Sequence, residues 1–396
     1  MREFTFKTLY SDPHSRARLG IIHTPHGDIE TPAFVPVGTQ ASVKSMLPNE
    51  LTDVGTQLFF VNTYHMYLRP GIDIVKQFGG LHAFMHWDKP LITDSGGFQV
   101  FSLAKGRKRG TQDETAGDTG LVKISEDGVQ FQSHWDGSTH VFTPEKSMEW
   151  QWGLGSDIHI AFDDCTAYPV SHDVATSSME RTHRWAKRSL EAHTLLAQSS
   201  HGPYQALYGS VQGSIFEDLR TTSASYISSL DVDGIAIGGV SVGESKQEMA
   251  QVLGWVMPKL PDNKPRHLLG VGEIDDIFTA IESGVDTFDC VQPTRLARMG
   301  WVFSRKEFKY ILDITKSRYA NDRTPIDSEC TCQTCAQFTR GYLYHLFHVK
   351  ELLAYRLATL HNLHVMHTLV SEIRSALRDG TFLDLKRKWV YDKQIV

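Results

Sequence analysis

Eight short runs of apolar or β-branched residues recur along the chain, and most are separated by stretches long enough for a helix. Strands that alternate with helices form a parallel sheet. Eight such units within about 300 residues predict an α/β fold, a closed (β/α)8 barrel of the TIM type. An open doubly wound sheet is the alternative architecture. The predicted strands are Pro32–Val37, Leu58–Thr63, Leu91–Thr93, Ile158–Phe162, Ala206–Val211, Gly234–Ile237, His267–Val271 and Asp286–Val291.

Polar residues or glycines stand at or just after the end of these runs. Because the active site of a (β/α)8 barrel lies at the carboxyl ends of its strands, these positions should converge at one mouth. They are Asn62, Asp94, Asp163, Gln212, Gly238 with Gly239, Gly272 with Glu273, and Asp289.

The residues at two of these positions indicate a catalytic role and not only a role in packing. Asp94 and Asp289 each end an apolar run, and Asp289 is followed closely by Arg295 and Arg298. Guanidinium groups suit phosphate binding, so two carboxylates beside them suggest a reaction at a sugar carbon. The alternative for any single strand-end aspartate is that it caps a turn or a helix.

The bulk properties are those of a globular protein. The chain has 396 residues, 41% hydrophobic and 22% charged, with a formal net charge of −6. No apolar run approaches the ~18 residues of a membrane span, and the first residues lack a signal-peptide core. Three of the five cysteines fall within residues 330–335, which argues against a disulfide scaffold and favours a reducing, cytoplasmic setting.

The charge is uneven along the chain. Residues 295–323 contain eight Lys or Arg against three acids, so this stretch could meet a polyanion or form a solvated face.

The first 30 residues, with turns at residues 11–13 and 25–27, predict a β-hairpin that closes the bottom of the barrel. Residues 105–120 are polar and rich in glycine, which predicts a surface loop. We therefore predict one barrel domain over residues 1–396, with a metal-binding subdomain at residues 300–375.

A cysteine cluster predicts a metal site. Cys330, Cys332 and Cys335 could converge on one Zn²⁺, which favours four sulfur and imidazole ligands when it is structural. The fourth ligand is open, because spacing does not choose among the five histidines that follow: His345, His348, His361, His364 and His367.

Taken together, the motifs resemble those of the tRNA-guanine transglycosylases, also called queuine tRNA-ribosyltransferases, of bacterial type. The resemblance covers nearly the whole chain. It rests on Asn62–His65, Thr93–Gln99, Phe162–Thr166, Val211–Gly213, Gly238–Glu244, Phe288–Arg295, the cysteines and His361–Leu363. It implies exchange of guanine at the wobble position of tRNA for a 7-deazaguanine in queuosine biosynthesis, a structural zinc completed by His361, and a homodimer that packs near Tyr342 and His345.

The resemblance also implies roles for the two acids. Asp289 would be the nucleophile that traps the sugar carbon as an ester. Asp94 would be the general acid/base for the ring proton of the base. Arg295 and Arg298 would contact tRNA phosphates, and no nucleotide cofactor is needed. Asn62 and Gln99 would contact the ribose.

A base pocket follows from the same motifs. Asp163 would accept from the N–H edge of guanine, while Gln212 and the backbone N–H of Gly239 would donate to its carbonyl. Phe98 and Leu269 would sandwich the ring, although methionine is common at the position of Leu269. Four further residues would line the pocket. The backbone carbonyl of Val240 would accept from an ammonium group on the base, and Glu244 would orient that backbone. Cys165 and Val242 favour the 7-aminomethyl base over the bulkier queuine.

Two other classes remain open at this stage. A non-catalytic, RNA-binding subunit with the same barrel would lack the acid pair, but both Asp94 and Asp289 are present. A small-molecule barrel enzyme or nucleoside hydrolase would have no use for the cysteine cluster or the basic stretch.

Overall fold

The computed structural model describes residues 4–99 and 122–391. The predicted loop at residues 105–120 lies outside these ranges. The eight predicted strands all form, and they hydrogen-bond in sequence order as one parallel sheet. They are β4 (Ala33–Pro36), β5 (Phe59–Val61), β6 (Leu91–Thr93), β10 (Ile158–Ile160), β11 (Ala206–Val211), β12 (Gly234–Ile237), β13 (Arg266–Leu268) and β14 (Thr287–Cys290).

The sheet closes into a barrel. A parallel bridge joins Val37 to Phe60, and the Gly38 N–H donates to the Phe60 carbonyl over 2.7 Å. These contacts connect β4 with β5, which are the two ends of the strand order. The (β/α)8 prediction is therefore confirmed, and the open sheet is excluded.

The N-terminal segment covers the amino end of the barrel. The predicted hairpin consists of β1 (Thr5–Ser11) and β2 (Arg18–Thr24), and the second predicted turn adds β3 (Gly27–Thr31) to form a three-stranded antiparallel sheet. Phe4, Ile22 and Ile29 pack with residues inside the barrel, and the ring of Phe4 lies 6.1 Å from that of Tyr208. These apolar side chains plug the end opposite the mouth.

Helices pack around the barrel and are capped where the sequence provides hydroxyl groups. Ser171 accepts from Val174 N, and Ser245 forms a capping box with Glu248. The helices that follow the barrel strands begin with the short α1 (Pro48–Asp53), α2 (Thr63–Leu68), α3 (Ile72–Gln77) and α4 (Leu81–Met85) and continue with α5 (Pro144–Leu154), α6 (His172–Ser199), α7 (Glu217–Ser229), α8 (Lys246–Val256), α9 (Ile274–Ser283) and α10 (Gln292–Arg298).

Two further sets of elements complete the fold. Between β6 and α5 lies an antiparallel sheet of β7 (Val122–Ile124), β8 (Val129–Gln132) and β9 (Thr139–Phe142). After α10 come the paired strands β15 (Trp301–Phe303) and β16 (Ile311–Asp313), and then α11 (Gln333–Gln337), α12 (Arg340–His348), α13 (Leu352–Arg378) and α14 (Phe382–Lys386). The long helix α13 contacts both α10 and β4, so it connects the C-terminal elements to the barrel.

Candidate active site and metal centre

Asp94 is buried at the carboxyl end of β6 and is held by three donors. Its carboxylate accepts from Asn62 Nδ2 at 2.6 Å, from the Thr63 backbone N–H at 2.8 Å and from Gln99 Nε2. Burial raises the pKa of Asp94 to about 6, against the effect of these hydrogen bonds, and the charge of Asp289 raises it further. A carboxyl group with a pKa near neutrality can both give and take a proton.

Asp289 lies on β14 and faces the same mouth. Its Oδ1 accepts from the Gly270 N–H at 3.0 Å and lies 3.2 Å from His267 Nε2. His267 is fully buried, and its Nδ1 lies 2.9 Å from Thr287 Oγ1. These contacts leave Oδ2 without a hydrogen bond among the described residues. The sequence gives no signal for the position of His267 beside Asp289, because a histidine inside an apolar strand resembles an ordinary core residue.

Asp163 and Gln212 form a linked pair at the ends of β10 and β11. Gln212 Nε2 donates to Asp163 Oδ2 at 2.7 Å, and Ser95 Oγ donates to Oδ1 at 3.2 Å. Burial raises the pKa of Asp163 to about 6. Perturbed carboxyl groups of this kind cluster at functional sites.

The glycines after β12 bring the backbone against this pair. A Cβ on Gly238 would lie 2.5 Å from Gln212 Nε2, and a Cβ on Gly239 would lie 2.6 Å from Gln212 Oε1. Gly239 also has a φ of +63°, which disfavours side chains. The carboxamide of Gln212 is therefore packed directly on the backbone of Gly238 and Gly239.

Arg220, to which no sequence motif pointed, supports the backbone at Gly238 and Gly239. Its fully buried guanidinium donates to four backbone carbonyls, those of Val211, Ser214, Gly238 and Gly239, over 2.6–3.0 Å. Burial lowers the pKa of Arg220 to about 10. The sequence gives no signal for this role, because an arginine on a helix is usually exposed to solvent.

The loop after Gly239 carries the remaining polar group of the predicted pocket. Val240 is buried, and Glu244 Oε2 accepts from the Val242 N–H at 3.0 Å. Glu244 Oε1 is buried without a hydrogen-bond partner in the described part of the chain. Cys165 is also buried, and this burial raises the pKa of its thiol, to which the charges of Asp163 and Glu244 add.

The backbone before Phe98 and the side chain of Leu269 lie close to the linked pair of Asp163 and Gln212. A Cβ on Gly97, which precedes Phe98, would lie 3.0 Å from the Asp163 carbonyl oxygen, and a Cβ on Gly238 would lie 3.6 Å from Leu269 Cδ1. Phe98 is 44% exposed, which leaves its ring free to cover a planar ligand. Leu269 is half-buried against the interior of the barrel.

Two strand-end residues lie outside these hydrogen-bonded groups. Glu273 pairs at 2.6 Å with Lys246 on the rim, and Gly272 packs against Cys290.

The arginines of α10 follow Asp289 closely. Arg295 is exposed. Arg298 is half-buried, and its guanidinium donates a hydrogen bond to the Thr294 carbonyl at 2.8 Å. Burial and the neighbouring Arg295 lower the pKa of Arg298. Neither guanidinium forms an ion pair within the described residues, whereas Arg305 pairs with Glu372 and Lys316 with Asp313. Two adjacent cations without carboxylates favour an anionic ligand.

Four side chains form a candidate metal centre, which we name the Cys3His cluster: Cys330, Cys332, Cys335 and His361. The three Sγ atoms lie 3.6, 3.4 and 3.3 Å from His361 Nδ1. A tetrahedral zinc ion with its usual bond lengths would place sulfur and nitrogen ligands about 3.6 Å apart. His361 Nε2 lies 2.7 Å from the Phe303 carbonyl oxygen, which favours the tautomer that leaves Nδ1 free for a metal. The donor set and spacing therefore fit zinc.

The structure also resolves the choice among the histidines. His364 Nε2 lies 3.3 Å from Thr331 Oγ1, and His367 Nε2 lies 2.9 Å from Thr56 Oγ1. His345 and His348 are on α12 and are exposed. His361 alone among the five joins the cysteines in the described metal-binding group.

A second histidine cluster lies at the amino end of the barrel. Asp157 accepts from His26 Nδ1 at 2.7 Å and from the Leu91 N–H at 2.8 Å, and His82 Nε2 lies 3.3 Å from it. The rings of His26 and His82 stack at 3.6 Å. Because this carboxylate is saturated with donors, we interpret the cluster as a clamp between the N-terminal sheet and the barrel.

Among the described helices, none combines the length and apolarity needed to cross a membrane. Fold and site together define a (β/α)8-barrel protein with a mouth of perturbed carboxyl groups and a separate Cys3His cluster. The sequence model of the queuine tRNA-ribosyltransferase family matches residues 12–394.

Several relatives are similar along their whole length. Queuine tRNA-ribosyltransferase of Syntrophobacter fumaroxidans is 49% identical over 389 residues, covering 98% of each chain. That of Pelotomaculum thermopropionicum is 47% identical over 382 residues, covering 96% of each. That of Roseiflexus sp. is 46% identical over 392 residues, covering 96% of this chain and 97% of the relative. The chain therefore belongs to the queuine tRNA-ribosyltransferase family, as its motifs predicted.

Proposed function

We propose that this enzyme replaces guanine at the wobble position of tRNA with 7-aminomethyl-7-deazaguanine, through a covalent bond between Asp289 and the ribose. The observation that carries the proposal is the pairing of two strand-end carboxyl groups with different surroundings. Asp94 is buried with its pKa raised to about 6, and Asp289 leaves one carboxylate oxygen without a hydrogen bond among the described residues. Family membership supports the tRNA substrate.

In the first step an Asp289 oxygen attacks C1′ of the ribose, and the bond from C1′ to N9 of guanine breaks. The electron pair goes to the departing base, which takes a proton from Asp94. Positive charge develops on the sugar in such displacements, and a carboxylate stabilises it before the ester forms. In the second step N9 of the incoming base gives its proton to Asp94 and attacks C1′, and the ester electrons return to Asp289. Two displacements retain the configuration at C1′.

The pocket residues can hold a base removed from its stack. Asp163 accepts from the N–H edge, and Gln212 and the Gly239 N–H donate to the carbonyl. The ring of the base lies between Phe98 and Leu269. Asn62 and Gln99, which donate hydrogen bonds to Asp94, also contact the ribose. Glu244 Oε1, which is buried without a hydrogen-bond partner among the described residues, supports an ammonium-bearing substituent.

Residues that lie outside the pocket have separate roles in the proposal. Arg295 and Arg298 bind tRNA phosphates, and their lack of carboxylate partners among the described residues supports this. Zinc fills the Cys3His cluster and organises a subdomain at residues 300–375 within a single barrel domain. Four protein ligands leave no open position on the metal, so its role is structural. Action on tRNA would place the enzyme in the cytoplasm.

We further propose a homodimer that packs through α12 and the start of α13. The exposed apolar residues of this surface support it: Tyr342, Val349, Leu352 and Leu353 are 40%, 49%, 79% and 38% exposed. His345 is exposed on the same helix as Tyr342.

The proposal is tested by incorporation of radiolabelled guanine into tRNA with a wobble guanosine. Asp289→Asn and Asp94→Asn should each abolish exchange and leave tRNA binding at low salt intact, because neither contacts phosphate. Asp53→Asn, which removes an exposed carboxylate on α1, is the matched control and should exchange like the wild type. Competition between guanine, the aminomethyl base and queuine tests the base. A wild-type preference for queuine would refute the aminomethyl assignment, and exchange by Asp289→Asn would refute the nucleophile.

A further inference from the structure

Asn362, the residue after the metal-ligand candidate His361, has a fully buried side chain with every donor in use. Its Oδ1 accepts from the Phe303 N–H at 2.9 Å. Its Nδ2 donates to the Pro293 carbonyl at 3.0 Å and to the Trp301 carbonyl at 3.1 Å. The carboxamide orientation is fixed by this set of partners, since exchange of its oxygen and nitrogen would place like groups together.

These three partners belong to the segment that follows the proposed nucleophile. Pro293 is in the first turn of α10, which carries Arg295 and Arg298, and Trp301 and Phe303 are the ends of β15. The Phe303 carbonyl also lies against His361 Nε2 at 2.7 Å. Two consecutive residues of α13 therefore connect the Cys3His cluster to the backbone that bears both arginines.

The helix α10 depends on such contacts for its position. It has seven residues, and a helix of that length is not stable by itself in water. Without the Nδ2 donor, two carbonyl oxygens would lose their partner, and a lost partner for a buried group is costly. The arginines would then be held less firmly where a phosphate is to be bound.

We propose that Asn362 is a positioning residue, which holds α10 against the zinc-bearing helix so that Arg295 and Arg298 are set for tRNA phosphates. This inference rests on the proposed function. Asn362 itself contacts neither RNA nor base, so its effect should fall on tRNA binding and not on base binding or on the chemical step.

The test compares Asn362→Asp with Thr56→Val. The aspartate keeps an acceptor for Phe303 but places a second oxygen against the two carbonyls. Thr56 is buried and its Oγ1 lies 2.9 Å from His367 Nε2, so its valine variant loosens α13 at a different point. Zinc content, thermal stability, kcat, and KM for tRNA and for guanine are measured for each. Asn362→Ser removes both amide N–H donors without burying a charge and replaces Asn362→Asp if that variant does not fold; its single hydroxyl on a shorter side chain can serve at most one of the two carbonyls.

We expect Asn362→Asp to retain zinc and to raise the KM for tRNA about tenfold, the order of one lost phosphate contact, with kcat and the KM for guanine unchanged. Thr56→Val should lose thermal stability and keep the wild-type KM for tRNA. Equal increases in both variants, or an unchanged KM for tRNA in Asn362→Asp, would overturn the proposal.

A double-mutant cycle tests whether Asn362 acts through the arginine. Arg295→Ala should weaken tRNA binding about tenfold in the wild type but less than about threefold in Asn362→Asp, because coupled residues are not additive. Additive effects would refute the coupling. Failure of wild-type protein to bind tRNA even at low salt would instead refute the proposed function, so the two failures are distinct.

Discussion

Gly239→Ala is expected to impair base binding as well as to destabilise the fold. A Cβ at this position would lie 2.6 Å from Gln212 Oε1, and φ is +63°. The exposed Gly380 provides a matched control, since its φ is +69° and nothing lies within 4 Å of an added Cβ. A left-handed alanine costs roughly 1–2 kcal/mol in either variant. Gly239→Ala should lose more unfolding free energy than Gly380→Ala in urea denaturation, because Gln212 would also lose its hydrogen bond to Asp163.

Only Gly239→Ala should also displace the Gln212 carboxamide from Asp163 and from the base. The guanine carbonyl would be left without this donor, and an unsatisfied buried acceptor costs roughly 1–3 kcal/mol, which corresponds to a roughly 5- to 150-fold higher KM for guanine. Steady-state guanine exchange at saturating tRNA measures this value. The reasoning would be refuted if the KM of Gly239→Ala stayed within about threefold of that of Gly380→Ala.

Three further predictions concern pH, metal and assembly. The pKa of Asp94 is raised to about 6, so the folded protein binds the proton of this carboxyl group more tightly than the unfolded chain does. This proton binding adds up to roughly 3 kcal/mol to the free energy of unfolding. The added stability is present below pH 4 and is lost as the pH rises through about 6. Asp94→Asn should lack this loss, and a constant difference in unfolding free energy between wild type and variant from pH 4 to 7 would contradict the raised pKa. Cys335→Ser should lower the zinc content from one per chain and lower the melting temperature, because metal ligation and folding are coupled; full stability without metal would argue against a structural ion. Leu352→Asp should convert the proposed dimer to monomers in light scattering, and a wild type that is monomeric at all concentrations would exclude the dimer.

The barrel could be predicted because its strands are buried on both faces, so most of them appear as short, mainly apolar runs, as in Phe59–Val61. The antiparallel strands β7–β9 were not predicted, since their alternation is short: Val129 and Phe131 are buried, while Gln130 and Gln132 are exposed.

The candidate site could be predicted only where residue type decides the chemistry. The cysteines predicted a metal, but helical spacing did not choose the histidine, because the choice depends on where α13 packs. Arg220 and His267 were missed because their roles arise from burial. The Arg220 guanidinium donates to four backbone carbonyls, and the His267 imidazole lies beside Asp289. Both arrangements arise only when the strands assemble into the barrel.

The central claim is a transient ester between Asp289 and C1′ of the wobble nucleotide. Wild-type enzyme mixed with tRNA without free base, denatured within the turnover time and digested with nuclease and protease, should yield a peptide containing Asp289 that carries a ribonucleotide in mass spectrometry. The same treatment of Asp289→Asn should yield none. Rapid guanine exchange by the wild type with no adduct at any quench time, or with an adduct on a different residue, would contradict the account.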